Sequence, residues 1–395
     1  MPALGLGVFA VGTDEFVLAG MLPLLGDTFG IPIATAGQVV TAFALVCAVL
    51  APVLGTLTAR WPRRRILLIA LGVYLAGNAA TAVAPSFPLL VTAQMVAAAG
   101  AGLFVPAAAV TAAALVPAER RGRAIALVTT GFTAATALGA PIGTVLGGAL
   151  GWRATVWFLA GLAVLGMVFV LVLVPGRVTV PAPEGLGERL RPLRDPRALA
   201  LMGTTLVGFT AVYIPYTYIS AVFEPATGGD SGRLAVLLFL FGAVGALANY
   251  AGGTLADRLG GRAVASGAIA LLTAALLVMP LATGSLAAAA VMVVAYGVPA
   301  WALTTPQQHR LIALDPASAS VYVSLNAAIL YLAISLSGMA GAAGIGWFGA
   351  GRLAPAAAVI ALLALGLSEL AHRLTRRPGH DETRTTRLTA DSSSR

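Results

Sequence analysis

Gly253-Thr254-Leu255-Ala256-Asp257-Arg258-Leu259-Gly260-Gly261-Arg262 is a polar, arginine-bearing turn set between two long apolar runs. A degraded echo stands at Gly55-Thr56-Leu57-Thr58-Ala59-Arg60-Trp61-Pro62-Arg63-Arg64-Arg65, again between apolar runs. One copy begins at 55 and the other at 253, half of a 395-residue chain apart. A turn repeated at half length marks a tandem duplication.

The solvent of this chain is not water. Hydrophobic residues make up 59% and charged residues 10%, against roughly 25% charged in a soluble domain. Apolar runs of about 20 residues, the length that crosses roughly 30 Å of hydrocarbon, recur throughout. Twelve are expected, at residues 3–25, 34–57, 66–84, 88–116, 122–149, 153–174, 197–223, 232–256, 263–281, 284–304, 318–346 and 351–372. A duplicated apolar body of this kind is the pattern of membrane transporters built from repeats.

The net charge of +9 does not point to nucleic acid. Every basic residue is Arg, and there is no Lys. Threading the twelve runs back and forth puts 21 of the 24 Arg on one face, leaving Arg153, Arg233 and Arg352 on the other. The positive-inside rule explains that asymmetry and makes the arginine-rich face cytoplasmic, with both termini inside. The first run starts directly after Met1 and is expected to be retained as a span rather than removed as a signal peptide. The lone Cys47 forms no internal disulfide and reads as small apolar filler. Three His build no dedicated zinc site without carboxylate help, so no metal or cofactor is expected. Without Lys there is no P-loop lysine, and no nucleophile stands at a recognisable motif, so no enzyme is expected and the driving energy must come from a gradient.

The most informative anomaly is Gly12-Thr13-Asp14-Glu15-Phe16, which puts two adjacent carboxylates near the middle of the first run. Such a group costs roughly 2.5–3.5 kcal/mol at a helix centre, and so faces a bundle interior or a cavity. Neighbours on a helix lie about 100° apart, so one acid can be buried while the other lines the cavity. Desolvation favours the neutral form of a carboxyl group, the property a reversible proton carrier needs. Glu15 is the first choice for that role and Asp14 the second. A structural acid tying the first span to a neighbour is the competing reading.

The repeated turn resembles the signature loop between helices 2 and 3 of the major facilitator superfamily, G-x-L-A-D-R-x-G-R-R. The second copy matches nearly throughout, whereas the first has Ala59 in place of Asp and Pro62 in place of Gly. Gly12-Thr13-Asp14-Glu15-Phe16 is similar to the Gly-Thr-x-Glu-Phe signature of that superfamily's drug:proton antiporter branch. Gly139-Ala140-Pro141-Ile142-Gly143-Thr144-Val145-Leu146-Gly147-Gly148 resembles the branch's antiporter motif with an altered spacing. Ser324-Leu325-Asn326 and Pro306-Gln307-Gln308-His309-Arg310 look like its sugar and drug efflux subgroup. Gln94 stands where many antiporters have Arg, which removes a helix-4 guanidinium from any proton relay.

The resemblance implies an all-α integral membrane protein with twelve transmembrane helices in two pseudo-symmetric six-helix bundles. The expected parts are a bundle over 1–174, a cytoplasmic linker over 175–196, a second bundle over 197–373 and a disordered tail over 374–395. It implies a secondary transporter of a bacterial inner membrane, acting as a monomer on a small-molecule substrate with protons as the coupling ion. Asp257, braced by Arg258 and Arg262 and seated beside Gly253, would latch the cytoplasmic face against the start of the fifth helix, whose N-terminal dipole favours a carboxylate. Arg60 belongs to the weaker first copy. Tyr213 and Tyr216, three residues apart on one helix face, line the cavity or anchor at the interface, and Trp301, Thr304, Asn326, Tyr331 and Gln94 complete the expected substrate cavity. Asn326 reads equally as interhelical glue. Gly139, Pro141, Gly143 and Gly147 allow close helix packing with a kink. Trp152 is expected in an interfacial aromatic belt, and His309 at the cytoplasmic rim. Export of small amphipathic compounds such as drugs is the leading reading. A narrow exporter of a sugar or amino-acid derivative comes second, and a receptor or scaffold without transport is the remote third.

Overall fold

The computed structural model describes residues 1–58, 60–176, 178 and 191–376. Twelve helices are long and apolar enough to cross a membrane: α1 Pro2–Phe29, α2 Ile33–Leu57, α3 Arg63–Ala82, α4 Phe87–Ala114, α5 Arg121–Leu150, α6 Trp152–Leu173, α7 Pro196–Thr217, α8 Ser231–Leu259, α9 Gly261–Ala282, α10 Leu286–Ile312, α11 Val321–Phe348 and α12 Ala350–Thr375. No strand occurs among the described residues. Each helix covers one expected run. Ala59, most of the expected linker and nearly all of the expected tail lie outside the described residues.

Turn chemistry sets the helix ends. Gly30 closes α1 in the left-handed conformation at φ 63°. Gly260, inside the second signature turn, sits at φ 86° between α8 and α9, a conformation that a side chain would strain. Asp195 caps α7, and Asp230 caps α8 by accepting from the Arg233 N–H at 2.7 Å.

Helices α1–α6 form one bundle and α7–α12 the other. Within the first, α3 and α4 touch backbone to backbone, so that a Cβ at Gly77 would stand 2.3 Å from the Ala97 nitrogen and one at Gly100 would stand 2.5 Å from the Tyr74 nitrogen. Small residues make such an approach possible. Between the bundles, α2 packs on α11 and α5 on α8, while α1 reaches across to α7 and α8.

The α5 helix is not regular. A π-helical turn at Ala135–Gly139 precedes Pro141, so the kink expected from proline alone is an inserted residue as well. This turn is where three helices meet: Gly12 of α1 lies against Ala135, Gly139 against Thr13, and Gly242 of α8 against the backbone of Thr136 and Ala137.

Burial across the seam between bundles is one-sided. Buried positions of α2 end at Cys47, and between Arg121 and Ala134 of α5 only Ala124 and Val128 are buried. Beyond Gly245, α8 buries only Ala248, Gly252 and Ala256, a single narrow face. Toward the opposite side the bundles meet closely: Gly37 rests on the Tyr218 ring, Gly338 on Thr41, and Gly148 on Ser231. The bundles therefore part toward the arginine-rich face and meet on the other.

Trp152 departs from expectation. It is 3% exposed, donates from Nε1 to Thr28 Oγ1 at 3.1 Å and packs on Phe29, with Arg153 stacked over its ring at 4.4 Å. It bolts α6 to α1 instead of facing a lipid belt, because α1 ends beside it.

Candidate functional site

The two carboxylates of α1 separate as their 100° offset allows. Asp14 is fully buried inside the first bundle, where Asn78 Nδ2 of α3 donates to its Oδ2 at 3.1 Å. Glu15 is 8% exposed and faces the other bundle, accepting a hydrogen bond from the Tyr331 hydroxyl of α11 at 3.2 Å. A single helix position thus decides which acid lies at the seam.

Aromatic rings from both bundles close over the same place. Phe16 meets Phe132 at 5.2 Å and Tyr216 at 5.8 Å, both edge to face, and lies 6.4 Å from Trp301. Tyr216 is 4.8 Å from Phe241, which stacks on Tyr296 at 5.4 Å. Tyr213 joins through Tyr216 at 6.0 Å. The Tyr216 hydroxyl donates to the Phe16 carbonyl at 3.4 Å, a second polar link between the bundles, and Tyr296 donates to the Val212 carbonyl. Tyr213 and Tyr216 are both buried, so neither anchors at a membrane interface. The Trp301 indole rests on Gly245, where a Cβ would stand 2.5 Å from Nε1, and that N–H has no hydrogen-bond partner. The arrangement offers a carboxylate, a phenol, an indole donor and a wall of rings, a set able to take an amphipathic molecule by stacking and one or two hydrogen bonds.

Other expected residues lie elsewhere. Asn326 accepts from Thr205 Oγ1 at 2.8 Å within the second bundle, the geometry of interhelical glue. Thr304 is half-buried; its neighbour Thr305 donates to Asn249 Oδ1 at 2.8 Å, tying α10 to α8. Gln94 lies in the first bundle, away from the seam. Gly143 accepts from Thr155 Oγ1 at 2.7 Å, and Gly147 packs on the same threonine, drawing α5 to α6.

At the signature turn, Asp257 is 71% exposed at its side chain, with His309 Nδ1 at 3.7 Å. Arg262 reaches across to Glu369 of α12, Nε to Oε2 at 3.2 Å, and Ser266 donates to the same carboxylate at 2.8 Å. Arg258 and Arg60 are exposed, and Gly253 packs on Thr305. With this face open, the turn braces α9 to α12, and Asp257 is left in solvent.

Residue patterns alone did not single out Phe132, Phe241, Tyr296, Gly245 or Asn78. Each is an isolated aromatic, glycine or amide in an apolar run, and only the helix packing brings it to a partner. Phe16 was visible as the last residue of the acidic motif.

The Major Facilitator Superfamily model matches residues 4–338. The chain belongs to that superfamily. Transporter YdhP of the Escherichia coli (strain K12) inner membrane is 30% identical over 341 residues, 86% of this chain and 87% of that one. The uncharacterised MFS-type transporter YbcL of Bacillus subtilis (strain 168) is 31% identical over 345 residues, covering 86% and 85%. A chloramphenicol resistance protein of Streptomyces lividans is 39% identical over 262 residues, 66% of each chain. Among solved structures, a bacterial homologue of the human lysosomal transporter Spinster, in an inward-facing and unoccupied conformation, superposes with a TM-score of 0.77 at 19% identity, covering 94% of this chain and 96% of that one. This major facilitator is a multi-pass membrane transporter whose bundles are joined, at mid-depth, around Glu15.

Proposed function

We propose that this transporter exports small amphipathic compounds, drugs or antibiotics among them, in exchange for protons, from a bacterial inner membrane with both termini in the cytoplasm. One observation carries the reading: Glu15 is a buried acid at the seam between bundles, bonded to Tyr331 of the opposite bundle under a roof of aromatic rings. An acid placed there feels the two conformations differently, because rocking the bundles breaks or makes its bond to Tyr331. Protonation removes the charge that bond stabilises, so proton occupancy biases the conformational equilibrium. A substrate that stacks on Phe16, Tyr216 and Trp301 displaces the same contacts and competes for the same state. The similarity to a chloramphenicol resistance protein supports a drug as cargo.

Access alternates about this level. The face open here carries the arginine excess, which makes this the inward-facing state. Closing it would bring Asp257 toward the N-terminal turn of α5, with the Arg262–Glu369 pair holding the turn in place.

A resistance panel in export-deficient bacteria tests the proposal. Cells carrying the transporter, its Glu15→Gln variant at equal membrane expression, or an empty vector are compared across antibiotics and dyes. Resistance that vanishes in the variant supports it. Resistance kept in full by the variant removes Glu15 from the coupling step, and protection against no compound favours the narrow metabolite exporter.

A further inference from the structure

A second polar cluster lies inside the first bundle, one residue along α1 from Glu15 but turned away from the seam. Asp14, Asn78 and Gln94 are each 0% exposed. Asn78 Nδ2 is spent on Asp14 Oδ2 and on the Tyr74 carbonyl, both at 3.1 Å. Left over, buried and without hydrogen-bond partners, are Asp14 Oδ1, Asn78 Oδ1 and both polar atoms of the Gln94 amide. Gln94 lies beside Asp14, as does the Tyr74 hydroxyl, which donates to the Ala10 carbonyl of α1 at 3.0 Å. Buried polar atoms are nearly always partnered, because leaving one without a partner forfeits its hydration with nothing in return. Four around one carboxylate is an arrangement that awaits an occupant.

The chemistry of the orphans defines that occupant. Three of the four are oxygens, a carboxylate and two amide carbonyls, the hard donors that bind alkali and alkaline-earth cations. The titratable groups facing Asp14 are its neighbour Glu15 on α1, Tyr74 on α3 and Cys47 on α2. None of these can carry a positive charge, and α4 contributes Gln94 where a guanidinium would have balanced the acid. One carboxylate compensates one positive charge, which selects a monovalent ion over Ca²⁺ or Mg²⁺. The α3–α4 pair that carries Asn78 and Gln94 is in backbone contact at Gly77 and Gly100, on one side of the cluster, which fixes the spacing of the two helices there. Three oxygens and a phenol are few ligands, which suits Na⁺ better than the larger K⁺.

We infer that Asp14, Asn78 and Gln94 form a sodium site between α1, α3 and α4, with the Tyr74 hydroxyl at its edge. Occupancy would neutralise Asp14 and lock α1 to the α3–α4 pair, stiffening the bundle against which the other one moves.

Direct binding tests this on the purified full-length transporter. Equilibrium binding of ²²Na⁺ should approach one ion per chain, and thermal unfolding at fixed ionic strength should rise in NaCl relative to KCl and N-methylglucamine chloride. Asp14→Asn should weaken ²²Na⁺ binding by about tenfold or more, as expected for loss of the only charged ligand. Gln94→Arg should abolish binding while preserving the fold, because its guanidinium supplies the missing charge in place. Glu15→Gln should bind sodium as the parent does. Absence of ²²Na⁺ binding by the parent, with equal unfolding temperatures in sodium and N-methylglucamine, would overturn the inference and leave a buried water or a protonated Asp14 as occupant. Full binding by Asp14→Asn, or its loss in Glu15→Gln alone, would overturn it equally by moving the ion elsewhere.

Discussion

Gly242→Ala should pry the sealed face open. A Cβ at Gly242 would stand 2.5 Å from the Ala137 nitrogen, the Ala137 Cα and the Thr136 carbonyl carbon. All three are backbone atoms of the π-helical turn of α5, so no rotamer change relieves the clash, and α8 must retreat by about 0.9 Å to reach ordinary 3.4 Å contact. The contact joins opposite bundles at the level of Thr13, at the inner edge of the closed half, and is expected to part when that face opens. Overpacking of this kind costs about 1–3 kcal/mol, which displaces the equilibrium between closed and open forms by about 5- to 150-fold. The same substitution removes a helical glycine, which favours α8 by about 0.5–1 kcal/mol in either state. Overall unfolding temperature is therefore a poor readout and accessibility a good one. The assay is the labelling rate of Ser231→Cys by a membrane-impermeant maleimide in a Cys47→Ala background, with Gly267→Ala, whose Cβ would meet nothing within 4 Å, as control. Labelling should rise at least about fivefold in Gly242→Ala and stay at the parental rate in the control. An unchanged rate in a folded Gly242→Ala variant would refute the reasoning, because the bundles would then have to close without this contact.

Three further outcomes follow from the same geometry. Asp257→Asn should favour the state seen here, raising labelling of Thr130→Cys on the arginine-rich half of α5; equal labelling would remove Asp257 from the gate. A double-mutant cycle on Thr205→Ala and Asn326→Ala should return a coupling of about 0.6 kcal/mol in unfolding free energy, the mean for interhelical hydrogen bonds in membranes, and a value near zero would mean that the 2.8 Å bond is not formed in the bilayer. Trp152→Phe keeps the stacking on Phe29 but gives up the bond to Thr28, so a loss of about 1 kcal/mol is expected in chemical denaturation; no loss would place Trp152 at the lipid interface after all.

The spans were legible because hydrocarbon thickness imposes a length that needs no knowledge of neighbours. The repeated turn was legible because a charged loop in an apolar chain has nothing to hide behind. Glu15 stood out for the same reason, as a charge where hydrocarbon was expected. Which acid faced the seam was not legible, since a 100° offset says that two environments differ and not which is which. Asn78 and Gln94 looked unrelated 16 residues apart, until the antiparallel return of α4 along α3 set both beside Asp14. The π-helical turn left no trace but Pro141, because an inserted residue changes hydrogen bonding without changing composition. Trp152 carried a residue type that usually marks the interface, and the end of α1 overrode that preference by offering Phe29 and a hydroxyl.

The sealed face is joined mainly by shape. Its contacts across the seam are Gly37, Gly338 and Gly148, fitted against the Tyr218 ring, Thr41 and Ser231, and the Tyr218 hydroxyl bonds to Gly338 of its own bundle at 2.8 Å. Two such surfaces separate without stranding a donor or acceptor in hydrocarbon, so the barrier to parting them is made of dispersion and wetting. A gate of this kind is a dry joint. Its speed should respond to the lateral pressure and packing of the surrounding lipid, and hardly at all to salt.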